Sequence, residues 1–171
     1  MANTTKASST LPKPGRHLLV AVPVVLFVLG PVTARAGEIK EAGVIVCVND
    51  KWDEKEVEKS HKLIDYAGRC VDVPDDPATA KQSEDCVGKY EYMPDQSFKG
   101  SGTCVLTFMG DKTGDKLNSA WEEGSGLKAY PYKYTGGTGK YKGASGDGTY
   151  FYESLTDSLL GGRYKGKMVL P

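Results

Sequence analysis

Glycine recurs through one short stretch of the chain, at Gly136, Gly137, Gly139, Gly143, Gly146 and Gly148, with Tyr141 and Tyr150 among them. A helix does not tolerate that density, because each interior glycine costs it about 1 kcal/mol. Glycine supplies positive φ at turns, and within strands it marks bulges and barrel corners. The stretch therefore reads as a strand, a sharp corner and a tyrosine-rich return strand. It predicts a sheet that closes, or nearly closes, on itself, with Gly136, Gly137 and Gly139 as the structural turn.

Residues 1–36 read as an export leader. Lys6, Lys13 and Arg16 precede an apolar run from Leu18 to Val32, and Ala34-Arg35-Ala36 has the small-x-small pattern of a cleavage site. A membrane-spanning helix needs about 20 apolar residues, and Pro23 interrupts this run. Cleavage before Gly37 is expected, with no membrane segment afterwards. Residues 37–171 then form one domain that is secreted or periplasmic. Four of the 22 basic residues and none of the 22 acidic ones fall in the leader, so the remainder carries 18 basic against 22 acidic groups, a formal charge of −4. Its basic residues are not clustered, which argues against a nucleic-acid partner.

All four cysteines, Cys47, Cys70, Cys86 and Cys104, lie after the leader. An even count in an exported domain predicts two disulfides. No pair has CxxC spacing and only His61 remains as a histidine, so neither a metal site nor a cofactor is expected. Four cysteines allow three pairings. In an antiparallel hairpin, residues equidistant from the turn face each other. Cys86 and Cys104 are centred on Asp95, within the turn sequence Met93-Pro94-Asp95-Gln96-Ser97. Cys47 and Cys70 are centred near Glu58-Lys59. The rival bond Cys70–Cys86 would leave Cys47 and Cys104 three strands apart in a flat meander, about 14 Å at the usual strand spacing, beyond the reach of a disulfide. Cys47–Cys70 with Cys86–Cys104 is the favoured pairing.

The rest of the chain alternates. Gly43 to Val48 is a short apolar strand, and Asp53 to Lys59 is a charged connection. His61 to Val73 is a strand with a bulge at Gly68. From Val87 to Met93, Lys89 and Glu91 share one face, and Tyr90 and Tyr92 the other. Ser97 to Met109, Lys116 to Glu123, Leu127 to Tyr134, Gly148 to Glu153 and Arg163 to Leu170 follow, each separated by turn residues. Pro131 calls for an edge position or a bulge. No segment keeps a helical period. Seven or eight strands with short connections predict an all-β fold, simplest as an antiparallel up-and-down β-barrel of about eight strands.

The corner Gly136-Gly137-Thr138-Gly139-Lys140-Tyr141, with Gly143-Ala144 and Gly146 after it, resembles a segment of the dirigent proteins and the allene oxide cyclases. Exported bacterial barrels look similar. The resemblance implies an eight-stranded antiparallel barrel with a central cavity. It also implies a ligand held inside: a radical-coupling substrate in dirigent proteins, a fatty-acid epoxide steered by a glutamate in the cyclases. Glu122 or Glu123, beside Trp121, is a candidate for such a role, with no shared motif to carry it over. No catalytic set of either family maps onto this chain residue by residue, so no catalytic residue is assigned.

Tyr90 and Tyr92, Tyr130, Tyr132 and Tyr134, and Tyr150 and Tyr152 each fall on single strand faces. Tyrosine suits half-buried strands and stacks across neighbours. Such faces can also line a ligand cavity with rings and hydroxyls. The expected lining is Tyr90, Tyr92, Trp121, Glu122, Tyr132, Tyr150 and Tyr152. Glu122 and Glu123 point to opposite faces of a strand and cannot act as a pair. Two functional readings follow. One is a binding or structural module for a small apolar or aromatic ligand. The other is an isomerase or cyclase whose cavity confines a reactive intermediate.

Overall fold

The computed structural model describes residues 37–171, and the expected leader lies outside the described residues. Eight antiparallel strands follow one another around a closed barrel. They are β1 (Gly37–Glu58), β2 (His61–Pro74), β3 (Gln82–Tyr92), β4 (Phe98–Phe108), β5 (Lys116–Gly124), β6 (Tyr130–Gly137), β7 (Ser145–Ser154) and β8 (Leu159–Leu170). Closure comes from β1, which pairs with β2 on one side and with β8 on the other, from Gly37 opposite Leu170 to Val48 opposite Leu159. An all-β, up-and-down barrel is thus the observed architecture. Closure removes every sheet edge. Pro131 nonetheless takes a locally unpaired, edge-like position, in register only with Thr149 of β7. It lies beyond Tyr132, where β6 loses its pairing to β5.

Side chains alternate inward and outward along each strand. In β1, Glu41, Ile45 and Cys47 are buried, while Val44, Val46 and Val48 lie on the outer surface. The apolar run that opens the fold is therefore two-faced.

Two local expectations are corrected. The charged run from Asp53 is a strand, not a connection, because β1 continues to Glu58 and pairs Glu54 with Ile64 and Glu56 with Lys62. From Asp53 to Glu58 every residue of β1 is exposed, so this side of the hairpin needs no apolar alternation, although Ile64 opposite Glu54 is buried. Lys62 donates to Glu54 at 2.7 Å, and Lys51 pairs with Asp53 at 3.1 Å. The bulge expected at Gly68 is on the opposite strand. The register skips Asp50 between Asn49 and Lys51, across from Gly68 and Ala67. A second irregularity lies between Glu56 and Glu58, and the two together explain why the midpoint of Cys47 and Cys70 falls one residue short of the turn at Lys59-Ser60.

Both disulfides are cross-strand bonds in register, Cys47–Cys70 between β1 and β2 and Cys86–Cys104 between β3 and β4. All four cysteines point inward.

The glycine corner closes one end of the barrel. Gly136 and Gly139 have φ of +98° and +49°. Gly137 is required for a different reason: a Cβ there would meet the Lys116 carbonyl oxygen of β5. The Thr138 amide donates to that same oxygen at 2.8 Å, and the Lys116 amide donates to Thr138 Oγ1 at 2.9 Å. So anchored, a 3-10 turn at Gly139–Tyr141 lays Tyr141 flat on Phe108, with centroids 4.7 Å apart. Leu106, Leu117 and Met168 belong to the same buried cluster. The end with the corner is an apolar plug. At the opposite end, Trp52, Tyr92, Phe98 and Tyr130 are only partly buried and form a rim of rings.

Candidate functional site

Between plug and rim the barrel encloses a cavity of about 60 Å3, counted as space open to the centres of water molecules. At 10–15 Å3 for each water, that is room for about four to six waters. The space is small because the strands carry large rings opposite glycines. Trp121 lies over Gly88 and Gly102, Tyr90 over Gly100, Tyr66 over Gly68, and Tyr132 over Gly148 and Gly166. Alternating large and small residues fill a tapered interior in this way.

Five of the seven residues expected to line the interior do so: Tyr90, Trp121, Tyr132, Tyr150 and Tyr152. Tyr92 stands above them in the rim, stacked on Phe98 at 5.3 Å. Glu122 is a correction. It is exposed on the outer face, and its neighbour Glu123 is the buried one. Strand parity allows only one of the two inside, and Trp121 and Glu123 share that parity.

Glu123 organises the upper part of the cavity. Tyr90 donates to its Oε2 at 3.0 Å, Tyr150 donates to its Oε1 at 2.7 Å, and Tyr152 makes a short bond to the same oxygen. These three hydroxyls come from β3 and β7, so one carboxyl ties opposite walls of the barrel together. Burial raises the three phenol pKa values, and the Glu123 charge raises them further. They remain hydrogen-bond donors throughout the physiological range.

A second acidic layer lies nearer the plug, and none of it is among the residues expected from sequence. Asp72 and Glu84 line the cavity, and Glu41 is buried beside them and accepts a hydrogen bond of 2.5 Å from Tyr134. Parity relative to the cysteines would have found them: Asp72 is two residues from Cys70, and Glu84 is two from Cys86. Asp72 is only 4 % exposed, and its Oδ1 has no hydrogen-bond partner; the hydroxyls of Tyr132 and Tyr164 are likewise buried without one. Among the described residues no Lys, Arg or His lines the cavity.

Carboxyls in such a place resist ionisation. Burial pushes Asp72 up to about 10, with the neighbouring Glu84 carboxyl adding to the shift. Burial also raises Glu84 and Glu41. Folded, these groups hold protons that the unfolded chain releases near pH 4. Their stabilising protonation is complete below that pH and is withdrawn as pH rises through their raised values, for Asp72 toward about 10. The exposed carboxylates Asp50 and Glu54 are lowered by Arg69 and Lys62 and act in the opposite sense, below about pH 4, but exposed pairs contribute little. The melting temperature is therefore expected to fall steadily from about pH 5 to about pH 9, and Asp72→Asn should flatten that slope. A thermal-melt series over this range checks it. A melting temperature that rises with pH would contradict it.

Cys70, Glu84 and Cys86 bring potential ligand atoms within 4.8 Å of one another, but both sulfurs are in disulfides and offer no thiolate to a metal.

No family model matches the chain, and no curated protein does. Solved structures do match. The barrel is similar to the pterocarpan synthase dirigent protein GePTS1, with a TM-score of 0.51 and 10 % identity over 80 % of this chain and 86 % of that one. A second match is the pterocarpan synthase dirigent protein PsPTS1, with a TM-score of 0.48 and 10 % identity over 80 % and 96 % of the two chains. At this identity the likeness is one of fold. The chain has a dirigent-like β-barrel.

Proposed function

We propose that this barrel is a small-ligand-binding module whose site is the interior cavity, entered between the rings of the rim. The observation that carries the reading is that three residues lining the cavity, Asp72, Tyr132 and Tyr164, each bury a polar atom for which the protein supplies no hydrogen-bond partner within bonding geometry. A core built only for stability leaves few such groups, because each costs about 1–3 kcal/mol when unsatisfied. A bound molecule carrying hydrogen-bonding groups would satisfy them. The leader expected over residues 1–36 and the two disulfides support an exported protein working in an oxidising compartment.

A second reading has its own observation. A carboxyl held protonated inside a ring-lined cavity is a general acid at neutral pH, and Asp72 has that character. The similarity to a dirigent protein described as a pterocarpan synthase is in keeping with a synthase role. The cavity weighs against it. Pockets for drug-sized ligands run to about 300–1,000 Å3, far more than the space here, so a multi-ring substrate does not fit without rearrangement. Binding of a smaller molecule is the better-supported function.

One experiment separates the readings. The protein is incubated with a library of small phenols, alcohols and amines, examined by native mass spectrometry, and the released compounds are analysed. A retained compound recovered unchanged supports binding. A retained compound recovered altered supports catalysis. If nothing in the library is retained, the cavity is packing space and the proposal fails.

A further inference from the structure

We propose that the ligand of this cavity is a small organic cation, an alkylammonium ion of a few carbon atoms, held between the Asp72 and Glu84 carboxyls and the tyrosine rings. The inference rests on the cavity being a ligand site and adds the charge of what it takes.

The lining decides the sign. Asp72, Glu84 and Glu123 face the cavity, Glu41 lies buried at its lower end, and no basic side chain among the described residues compensates them. An anion would meet four carboxyls and no cation. A purely apolar molecule would leave Asp72 Oδ1 and the Tyr164 hydroxyl unpaired, at the cost of two unsatisfied buried groups. An ammonium group donates to both. The remaining walls suit its charge: Tyr66, Tyr132, Tyr150 and Trp121 line the same space, and aromatic faces attract cations most strongly where water is excluded.

The spacing decides against a metal ion. A hard cation collects several oxygens at about 2–2.6 Å, which requires carboxyl oxygens close to one another. Among the described residues no three carboxyls come within 4.8 Å; the one trio at that spacing includes two disulfide sulfurs. Asp72 and Glu84 are within hydrogen-bonding reach of one another, but two carboxyls supply too few oxygens for such an ion, whereas an ammonium group needs only acceptors and its apolar tail suits the rings. The volume limits it to a few heavy atoms.

Binding is proton-linked. The groups facing Asp72 and Glu84 are Glu41 from β1, Tyr132 and Tyr134 from β6, Tyr150 from β7 and Tyr164 from β8, with Glu123 from β5 further up. Tyr66 of β2 also senses Glu84, all of these groups are acids, and β4 contributes only the apolar Leu106 opposite Glu84 and its disulfide cysteine. A cation placed among them favours the ionised carboxyls. An ammonium ion therefore displaces a proton, and its affinity increases as pH rises.

The test uses three molecules of one shape: n-butylammonium, 1-butanol and butyrate, each titrated calorimetrically into the whole protein at about pH 6 and about pH 8. The expected result is that butylammonium binds at least about tenfold more tightly than 1-butanol, a difference of about 1.4 kcal/mol, and that butyrate does not bind. Butylammonium should also bind more tightly at the higher pH, with release of a proton seen as a dependence of the heat on the buffer. Asp72→Asn with Glu84→Gln should abolish the preference over 1-butanol while the protein still melts cooperatively. Single variants serve if the double variant fails to fold. Equal binding of 1-butanol and butylammonium would overturn the cation inference and leave the ligand site standing. Tight binding of calcium chloride that excludes butylammonium would overturn it in favour of a metal. If none of the three binds, the inference falls, and the library experiment above decides separately whether the cavity binds anything.

Discussion

Gly102→Ala should destabilise the barrel by about 3 kcal/mol or more, one of the largest effects available to a single methyl group in this protein. Gly102 has an ordinary strand backbone, so the cost is not one of φ. A Cβ at Gly102 would meet the Val87 carbonyl oxygen on β3 and the face of the Trp121 ring, both well inside van der Waals contact. The backbone oxygen cannot move without breaking the β3–β4 ladder, and Trp121 is packed against Tyr66 and Tyr90. The comparison is Gly110→Ala. Gly110 has φ of +82° but open space around it, so only the backbone term applies, about 1 kcal/mol. Urea unfolding of the two variants checks the difference. If both unfold at the same denaturant concentration, ring-on-glycine packing does not hold the barrel together.

Opening either disulfide should cost about 2–4 kcal/mol. The bonds close loops of 23 and 18 residues, so they restrict the unfolded chain to nearly the same extent. Cys47→Ala with Cys70→Ala and Cys86→Ala with Cys104→Ala should therefore lose stability by similar amounts. Because the Cys70 and Cys86 sulfurs lie within 4.8 Å of one another, the two bonds are neighbours, and removing both should depart from the sum of the separate losses. Chemical denaturation of the two double variants and the fourfold variant measures this. A pair whose removal leaves the unfolding midpoint unchanged would show that the β-ladder alone fixes that part of the barrel.

The fold was largely legible because its signals are local. Glycine density marks the corner, turn residues separate the strands, and the symmetry of Cys86 and Cys104 about Asp95 locates a hairpin. What escaped depended on long-range pairing. The charged run from Asp53 shows no buried face, so only its partner β2 identifies it as a strand. The bulge at Asp50 leaves no compositional trace.

The site was half legible. Aromatic residues at alternate positions announced an inward face, and Tyr90, Tyr132, Tyr150 and Tyr152 are on it. Choosing Glu122 over Glu123 was an error of parity that Trp121 could have prevented. The acidic layer of Glu41, Asp72 and Glu84 escaped because an acidic residue on a strand is ordinarily an outward one. Only parity counted from the cysteines turns these three inward.

The central claim is that the interior cavity, and not the outer surface, is where this protein meets its ligand. Ser119 tests it most directly. It is 5 % exposed, lines the cavity from β5 and makes room there by being small. Ser119→Leu places extra carbon atoms into the space beside its cross-strand neighbours Cys104 and Tyr134, and it alters neither the rim residues nor any carboxyl. Small molecules retained by the wild-type protein in native mass spectrometry should be absent from this variant, while its thermal melt stays cooperative. Retention of the same molecules by a folded Ser119→Leu protein would place the site elsewhere and contradict the account.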